Sequence, residues 1–349
     1  LELLHTIIYK VKLKKHNFFF IHNIKLTIYF LFHLYYIESH DKERIRHKMN
    51  ALKTLCIALL SLGYATAANA AGGTSSIVID AQSGNILYAD KAEELRYPAS
   101  LTKLMTLYIT FNALETGKLK FSDKLKVSST AASRSPSKLG MPAGSYIDVK
   151  TAVEALIVKS ANDCATVLAE ALSPSEAEFA KLMTKTARKL GMYRTTFKNA
   201  SGLPNSAQKT TAKDLAILGA AVYHHFPQYY HLFSLNEFQY NGMTYKTHNY
   251  LLNDSLGTDG MKTGYTAASG FNILTSARQG NYRVIAVTLG HKKVKERDEN
   301  ISKMMEISLN YMQKNPNINT ASLRSAINSS LRGEKTKTAY NHASAGYRR

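Results

Sequence analysis

Two stretches rich in β-forming residues stand near the two ends of this chain, with a long helical pattern between them. Near the start, "SSIVID" (75–80) and "NILYAD" (85–90) flank a Ser-Gly turn and read as a hairpin. Toward the end, "GFNILTSAR" (270–278) and "YRVIAVTLGH" (282–291) flank Gln279-Gly280-Asn281 and read as a second hairpin. From about 112 to 255 the apolar residues recur mostly with the 3.6-residue period, clearest in "VKTAVEALIVKSANDCATVLAEAL" and "SEAEFAKLMTKTARKLGM", and a last helix is expected over roughly 294–314. Isolated hairpins leave wide sheet edges open, so the two ends are expected to join in one sheet. The fold class expected is α/β in the broad sense, α+β in detail: an antiparallel sheet flanked by helices, with a mainly helical lobe inserted.

The segment "RYPASLTKLMTLYITFNALE" (96–115) sets a second constraint. Leu101, Leu104, Met105, Leu107, Tyr108, Ile109, Phe111 and Leu114 cover more than one stripe, which is the pattern of a central buried helix. Yet it carries Lys103 one turn after Ser100, and lysine is almost never buried without a partner or a purpose. Pro98 fits the first turn of such a helix and so places Ser100 near its N-terminal end, where free N–H groups favour developing negative charge.

The first 48 residues contain no Ala, Gly or Pro and are expected to be translated from upstream of the true start or to be disordered, an N-terminal anchor being the alternative. Residues 49–70 have the layout of a signal peptide: Lys53, an apolar run from Leu55 to Leu62, and Ala68-Asn69-Ala70, with cleavage expected after Ala70. Residues 71–315 would then form the catalytic domain and 316–349 a basic tail. The formal charge of +20 would fall to about +14 after cleavage, which suits a polyanionic surface such as cell-wall polymer or acidic lipid. An exported chain without a nucleic-acid module argues against nucleic acid. Cys56 leaves with the leader, so Cys164 stands alone and no internal disulfide is expected. In the tail, Ile318, Leu323, Ile327 and Leu331 make a thin apolar stripe beside Arg324 and Arg332. A solvated tail is the favoured reading, and peripheral contact with an anionic membrane the alternative.

A serine hydroxyl is a weak nucleophile that needs a base, and a lysine serves when burial or a neighbouring cation pulls its pKa down. Ser100 and Lys103, at i and i+3, meet that need, but Ser-x-x-Lys also occurs at Ser39/Lys42, Ser135/Lys138 and Ser206/Lys209. Only Ser100 lies on an apolar helix. Ser160-Ala161-Asn162 adds a hydroxyl and an amide able to relay a proton and hold a substrate amide. Lys262-Thr263-Gly264, the only Lys-Thr-Gly in the chain, adds a cation and a hydroxyl for a carboxylate beside a glycine that admits a substrate backbone.

These three elements, in this order and about 60 and 100 residues apart, resemble the active-site triplet of penicillin-binding proteins and serine β-lactamases. "YPASLTKLMT", "SAND", "NASGLPN" and "DGMKTGYT" resemble more closely the low-molecular-mass D-alanyl-D-alanine carboxypeptidases, and the resemblance runs from about Thr74 to Asn315. It implies a β-lactamase/transpeptidase-like fold and an acyl-enzyme on Ser100, with Lys103 as base and Ser160 as proton relay. Asn162 would hydrogen-bond the substrate or Lys103, and Lys262 with Thr263 would bind the terminal carboxylate. Gly264 would let the substrate approach, the backbone N–H groups of Ser100 and Tyr265 would form the oxyanion hole, and Arg297 would support the carboxylate site. The implied partners are peptidoglycan stem peptides, with β-lactams as acylating inhibitors and no cofactor, and the implied location is the periplasm or the outer face of the inner membrane.

Three rivals stand beside this reading. A β-lactamase would need a deacylating glutamate; "EISLN" (306–310) has the right letters but follows the third element instead of preceding it. A D-alanyl-D-alanine endopeptidase would present the same triplet to a cross-link. A basic wall-binding protein would leave the triplet idle. His224, His225 and His231 lack the spacing of a metal site, and no metal is expected.

Overall fold

The computed structural model describes residues 73–252, 254–315 and 319–333, all within the unit Ala70–Arg349. The expectations for residues 1–48 and 49–70 lie outside the described residues.

Among the described residues nine strands follow in chain order: β1 Ser75–Asp80, β2 Ile86–Asp90, β3 Lys124–Lys126, β4 Tyr146–Asp148, β5 Glu237–Tyr240, β6 Met243–Lys246, β7 Thr258–Thr266, β8 Gly270–Gln279 and β9 Tyr282–His291. The helices are α1 Thr102–Glu115, α2 Ser129–Ala132, α3 Val149–Ile157, α4 Asn162–Leu172, α5 Glu176–Lys189, α6 Ala212–His225, α7 Pro227–Tyr230, α8 Val294–Lys314 and α9 Thr320–Leu331, with 3-10 turns at Ala99–Leu101 and His231–Ser234.

The main sheet has the order β2-β1-β9-β8-β7 and every neighbouring pair is antiparallel. Strand β1 pairs with β9 from Ser75 opposite Leu289 to Asp80 opposite Val284, so the first and last of these strands meet in the middle of one sheet. Side chains alternate between faces along each strand. Ile285 and Val287 of β9 enter one core with Ile77 and Ile79 of β1, while Val284 and Ala286 enter a second core with Val78. The first core holds α1 and α3–α6; the second holds the apolar face of α8 (Ile301, Met304, Met305, Leu309, Met312). Two small two-stranded sheets, β3/β4 and the hairpin β5/β6, interrupt the region whose pattern is mostly helical. Runs of three and four residues are too short to show a period of two against the helices around them.

Helix α9 changes the reading of the tail. Leu323 and Ile327 are fully buried in the second core beside α8 and β2, and Tyr88 Oη donates to Asn328 Oδ1 at 3.0 Å. The apolar stripe of residues 323–327 thus faces the protein and is not available to a lipid surface. No helix among the described residues is long and apolar enough to cross a membrane.

Candidate active site

Helix α1 is apolar on nearly every side because it runs through the first core: ten of its fourteen residues are buried. It does not begin at Ser100. Pro98 precedes a 3-10 turn, Ala99–Leu101, and the α-helix starts at Thr102. In a 3-10 turn, side chains at i and i+3 eclipse each other, which lines Lys103 up with Ser100. Ala99 carries a positive φ of 48°, a conformation that costs a non-glycine residue on the order of 1–3 kcal/mol and persists only where its surroundings enforce it.

Two glycines make those surroundings. A methyl group on Gly264 of β7 would stand 2.9 Å from the backbone nitrogen of Ser100, and one on Gly202 would stand 1.9 Å from the carbonyl oxygen of Ala99. The Ser100 turn is therefore wedged between the sheet edge and the loop 199–203, closer than any side chain at those two positions permits. Because β7 is an edge strand, one side of its backbone is left free of sheet pairing, next to Ser100.

Lys103 is fully buried. Its Nζ lies 2.7 Å from Asn162 Oδ1, 2.6 Å from the main-chain oxygen of Ser201 and 3.2 Å from Ser100 Oγ. Burial first, and the charge of Lys262 second, hold its pKa well below the usual lysine value. Carbonyl oxygens only accept, so a neutral amine spends its two hydrogens on Asn162 and Ser201 and turns its lone pair toward the Ser100 hydroxyl.

Asn162 opens α4 and is fixed on its other side too: its Nδ2 donates to Ser135 O at 2.9 Å and its backbone N–H to Ser137 O at 2.7 Å. Next to it, Asp163 accepts from the backbone N–H groups of Leu139, Gly140 and Cys164, which ties the loop 135–140 to the start of α4. Ser160 has φ 60°, and its Oγ is buried without a protein partner.

On β7, Lys262 and Thr263 are buried and Lys262 Nζ donates to Thr263 O at 3.0 Å. Burial and then the Arg297 charge lower the pKa of Lys262 to about 7. Arg297, at the start of α8, is 3% exposed and its Nε donates to Asp298 Oδ1 at 2.8 Å. His248 is also held below its usual value, by burial and then by Lys262, Lys159 and Arg297. The cations in this region thus outnumber the acids that face them, an arrangement suited to an anionic ligand. Tyr265, the residue after the glycine, is 55% exposed with its ring stacked on Phe271 at 4.3 Å.

The structure thus brings Ser100, Lys103 and Asn162 into one hydrogen-bonded group and sets the strand of Lys262, Thr263, Gly264 and Tyr265 against the turn of Ser100. The other Ser-x-x-Lys matches within the described residues are not such pairs; Lys138 Nζ, for instance, donates to Ala132 O. Glu306 is exposed on α8, whose apolar face packs on the opposite side of the sheet from α1. His224 and His225 contact Ala81 O and Tyr108 Oη, His231 contacts Gln228 O, and no group of three metal-ligating side chains occurs among the described residues. Sequence reasoning missed Ser201, whose carbonyl holds Lys103, and Asn272, whose side chain holds the turn before Ser100. For Ser201 the segment "NASGLPN" was the only available signal, since a backbone contact leaves no mark on residue type.

A family model described as D-alanyl-D-alanine carboxypeptidase matches residues 64–293. The chain is 32% identical over 280 residues to the D-alanyl-D-alanine carboxypeptidase DacF of Bacillus subtilis, covering 76% of this chain and 72% of that one. It is 38% identical over 223 residues to the D-alanyl-D-alanine carboxypeptidase DacC of Escherichia coli, covering 62% of this chain and 56% of that one. Among solved structures, penicillin-binding protein D2 of Listeria monocytogenes in its cefotaxime-bound form superposes with a TM-score of 0.61 at 30% identity, over 67% of this chain and 96% of that one. A sheet joined from both chain ends, a wedged serine turn with a buried lysine, and a match across about two thirds of the sequence agree: the chain belongs to the D-alanyl-D-alanine carboxypeptidase family, the low-molecular-mass penicillin-binding proteins.

Proposed function

We propose that this protein is an exported serine-type D-alanyl-D-alanine carboxypeptidase that trims the terminal D-Ala from peptidoglycan stem peptides. The observation that carries the reading is the buried Lys103 Nζ, held by the carbonyl oxygens of Asn162 and Ser201 and 3.2 Å from Ser100 Oγ. Ser100 Oγ attacks the carbonyl carbon of the penultimate D-Ala and passes its proton to Lys103. The backbone N–H groups of Ser100 and Tyr265 receive the oxyanion, a contribution of about 10²–10³ in rate per donor in comparable sites. Ser160 relays a proton to the departing D-Ala nitrogen as the tetrahedral intermediate collapses. Lys262 and Thr263, with Arg297 behind them, hold the terminal carboxylate, and Asn162 orients Lys103. Water then hydrolyses the ester on Ser100. A β-lactam amide acylates the same serine by the same route.

Export after a leader at 49–70, and a place in the periplasm at the wall, follow from the substrate and from the sequence layout. The tests use the full chain incubated with pentapeptide muropeptides, with a cross-linked muropeptide dimer and with labelled penicillin, beside Ser100→Ala. Release of free D-Ala from the pentapeptide and a persistent label absent from Ser100→Ala are the expected results. Rapid turnover of the penicillin label assigns a β-lactamase instead, and cleavage of the dimer alone assigns an endopeptidase.

A further inference from the structure

Asn272 is fully buried on β8 and its amide makes three contacts, reaching two distant parts of the chain. Its Nδ2 donates to Tyr97 O at 3.0 Å and approaches Pro98 O at 3.4 Å, the two carbonyls just before the strained Ala99. Its Oδ1 accepts the backbone N–H of Gly290 on β9 at 2.9 Å. Its backbone lies directly opposite Gly264 in the β7/β8 ladder, and Arg297 Nη1 is 3.5 Å from its main-chain oxygen. The nucleophile turn, the Lys-Thr-Gly strand and the arginine at the carboxylate end thus all refer to one residue.

Those parts carry the two proposed oxyanion donors on different segments: Ser100 N–H on the 3-10 turn, Tyr265 N–H on β7. The ladder fixes Asn272 relative to Gly264, and the Asn272 amide fixes the turn relative to Asn272. From this we infer that Asn272 is a positioning residue that sets the spacing between Ser100 and the β7 donors. The inference rests on the acyl-enzyme reading above. Loss of the amide frees Tyr97 and Pro98 and lets the turn relax away from the positive φ at Ala99. The noncovalent contacts of a β-lactam carboxylate with Lys262 and Thr263 stay intact. The effect then falls on the acylation step and not on binding, since a displacement of about 1 Å at the reacting atoms lowers rates roughly 10²-fold.

The test separates the dissociation constant of the noncovalent penicillin complex from the acylation rate constant by stopped-flow, using the full chain. Asn272→Ala is compared with wild type and with Leu323→Ala, which lowers stability through the second core. The expected result is an acylation constant about 100-fold lower in Asn272→Ala, with affinity within threefold, and an unchanged acylation constant in Leu323→Ala. If Asn272→Ala does not fold, Asn272→Asp keeps an acceptor for Gly290 N–H while losing the donor to Tyr97 and Pro98, and the same loss is expected. Acylation within threefold of wild type overturns the inference, as does a loss that Leu323→Ala reproduces. A wild-type protein that takes up no penicillin overturns the acyl-enzyme reading instead, so the two failures are distinct.

Discussion

The backbone nitrogen of Ser100 lies so near Gly264 that a methyl on that glycine would stand 2.9 Å from it. The edge of the sheet and the Ser100 turn touch through main chain, and the only side chain that fits between them is a hydrogen. Gly264→Ala is expected to push β7 from the turn, to lower penicillin acylation by about 10²-fold, and to destabilise by about 1–3 kcal/mol. Acylation kinetics and urea unfolding of the same sample check both.

Lys103→Arg is expected to retain the fold and lose acylation by about 10²–10⁴, because a guanidinium stays charged and accepts no proton. Mass spectrometry of the penicilloyl adduct against time checks it; adduct formation at the wild-type rate overturns the role of Lys103 as base.

The pH profile of kcat/KM is expected to be bell-shaped. The acid limb reports protonation of Lys103, whose pKa is held well below the usual value by burial and then by Lys262. The alkaline limb reports loss of the Lys262 ammonium, at about 7 in the free protein. Bound carboxylate stabilises that ammonium, so the alkaline limb moves upward in kcat relative to kcat/KM. Lys262→Arg, charged at every pH tested, is expected to remove the alkaline limb in both profiles.

The same lysine contributes to stability with a definite sign. Lys262 has a folded pKa of about 7, below its unfolded value, so between about 7 and 10 the unfolded chain binds more protons and stability rises with pH. Below about 7 the buried ammonium is fully present and its desolvation opposes folding. Lys262→Met is therefore expected to raise stability by about 1–2 kcal/mol at pH 6, an advantage that shrinks as pH rises toward 10, while weakening substrate binding. Denaturant titrations at pH 6, 7.5 and 9 read the trend.

Ser160→Ala removes a hydroxyl that has no protein partner, so its effect on stability is expected to lie within about 0.5 kcal/mol. Its acylation is expected to fall by about 10²–10⁴ as the proton relay is lost. Thermal unfolding and adduct formation separate the two effects.

Ser100, Lys103, Ser160, Asn162 and Lys262–Gly264 stood out in the sequence as candidates by residue type and short local spacing, and the fold joins Ser100, Lys103 and Asn162 by hydrogen bonds and sets Gly264 against the Ser100 turn. The antiparallel sheet was legible from its two hairpins, and the buried helix from its apolar surface. The two-stranded sheets β3/β4 and β5/β6 were not, being too short to carry a period. The tail stripe at Leu323 and Ile327 was visible, but a stripe says only that something covers it, and here the sheet and α8 do.

By itself, then, the sequence determined the candidate groups and the order of the main elements. Only the tertiary structure decided the contacts around those groups: Ser201 O on Lys103, Gly202 against Ala99, and the Asn272 amide on Tyr97 and Pro98. These join residues 98, 103 and 175 positions apart through backbone atoms on at least one side. Every residue has the same carbonyl, so such contacts leave no pattern in the letters and arise only when the sheet and the helical lobe pack together.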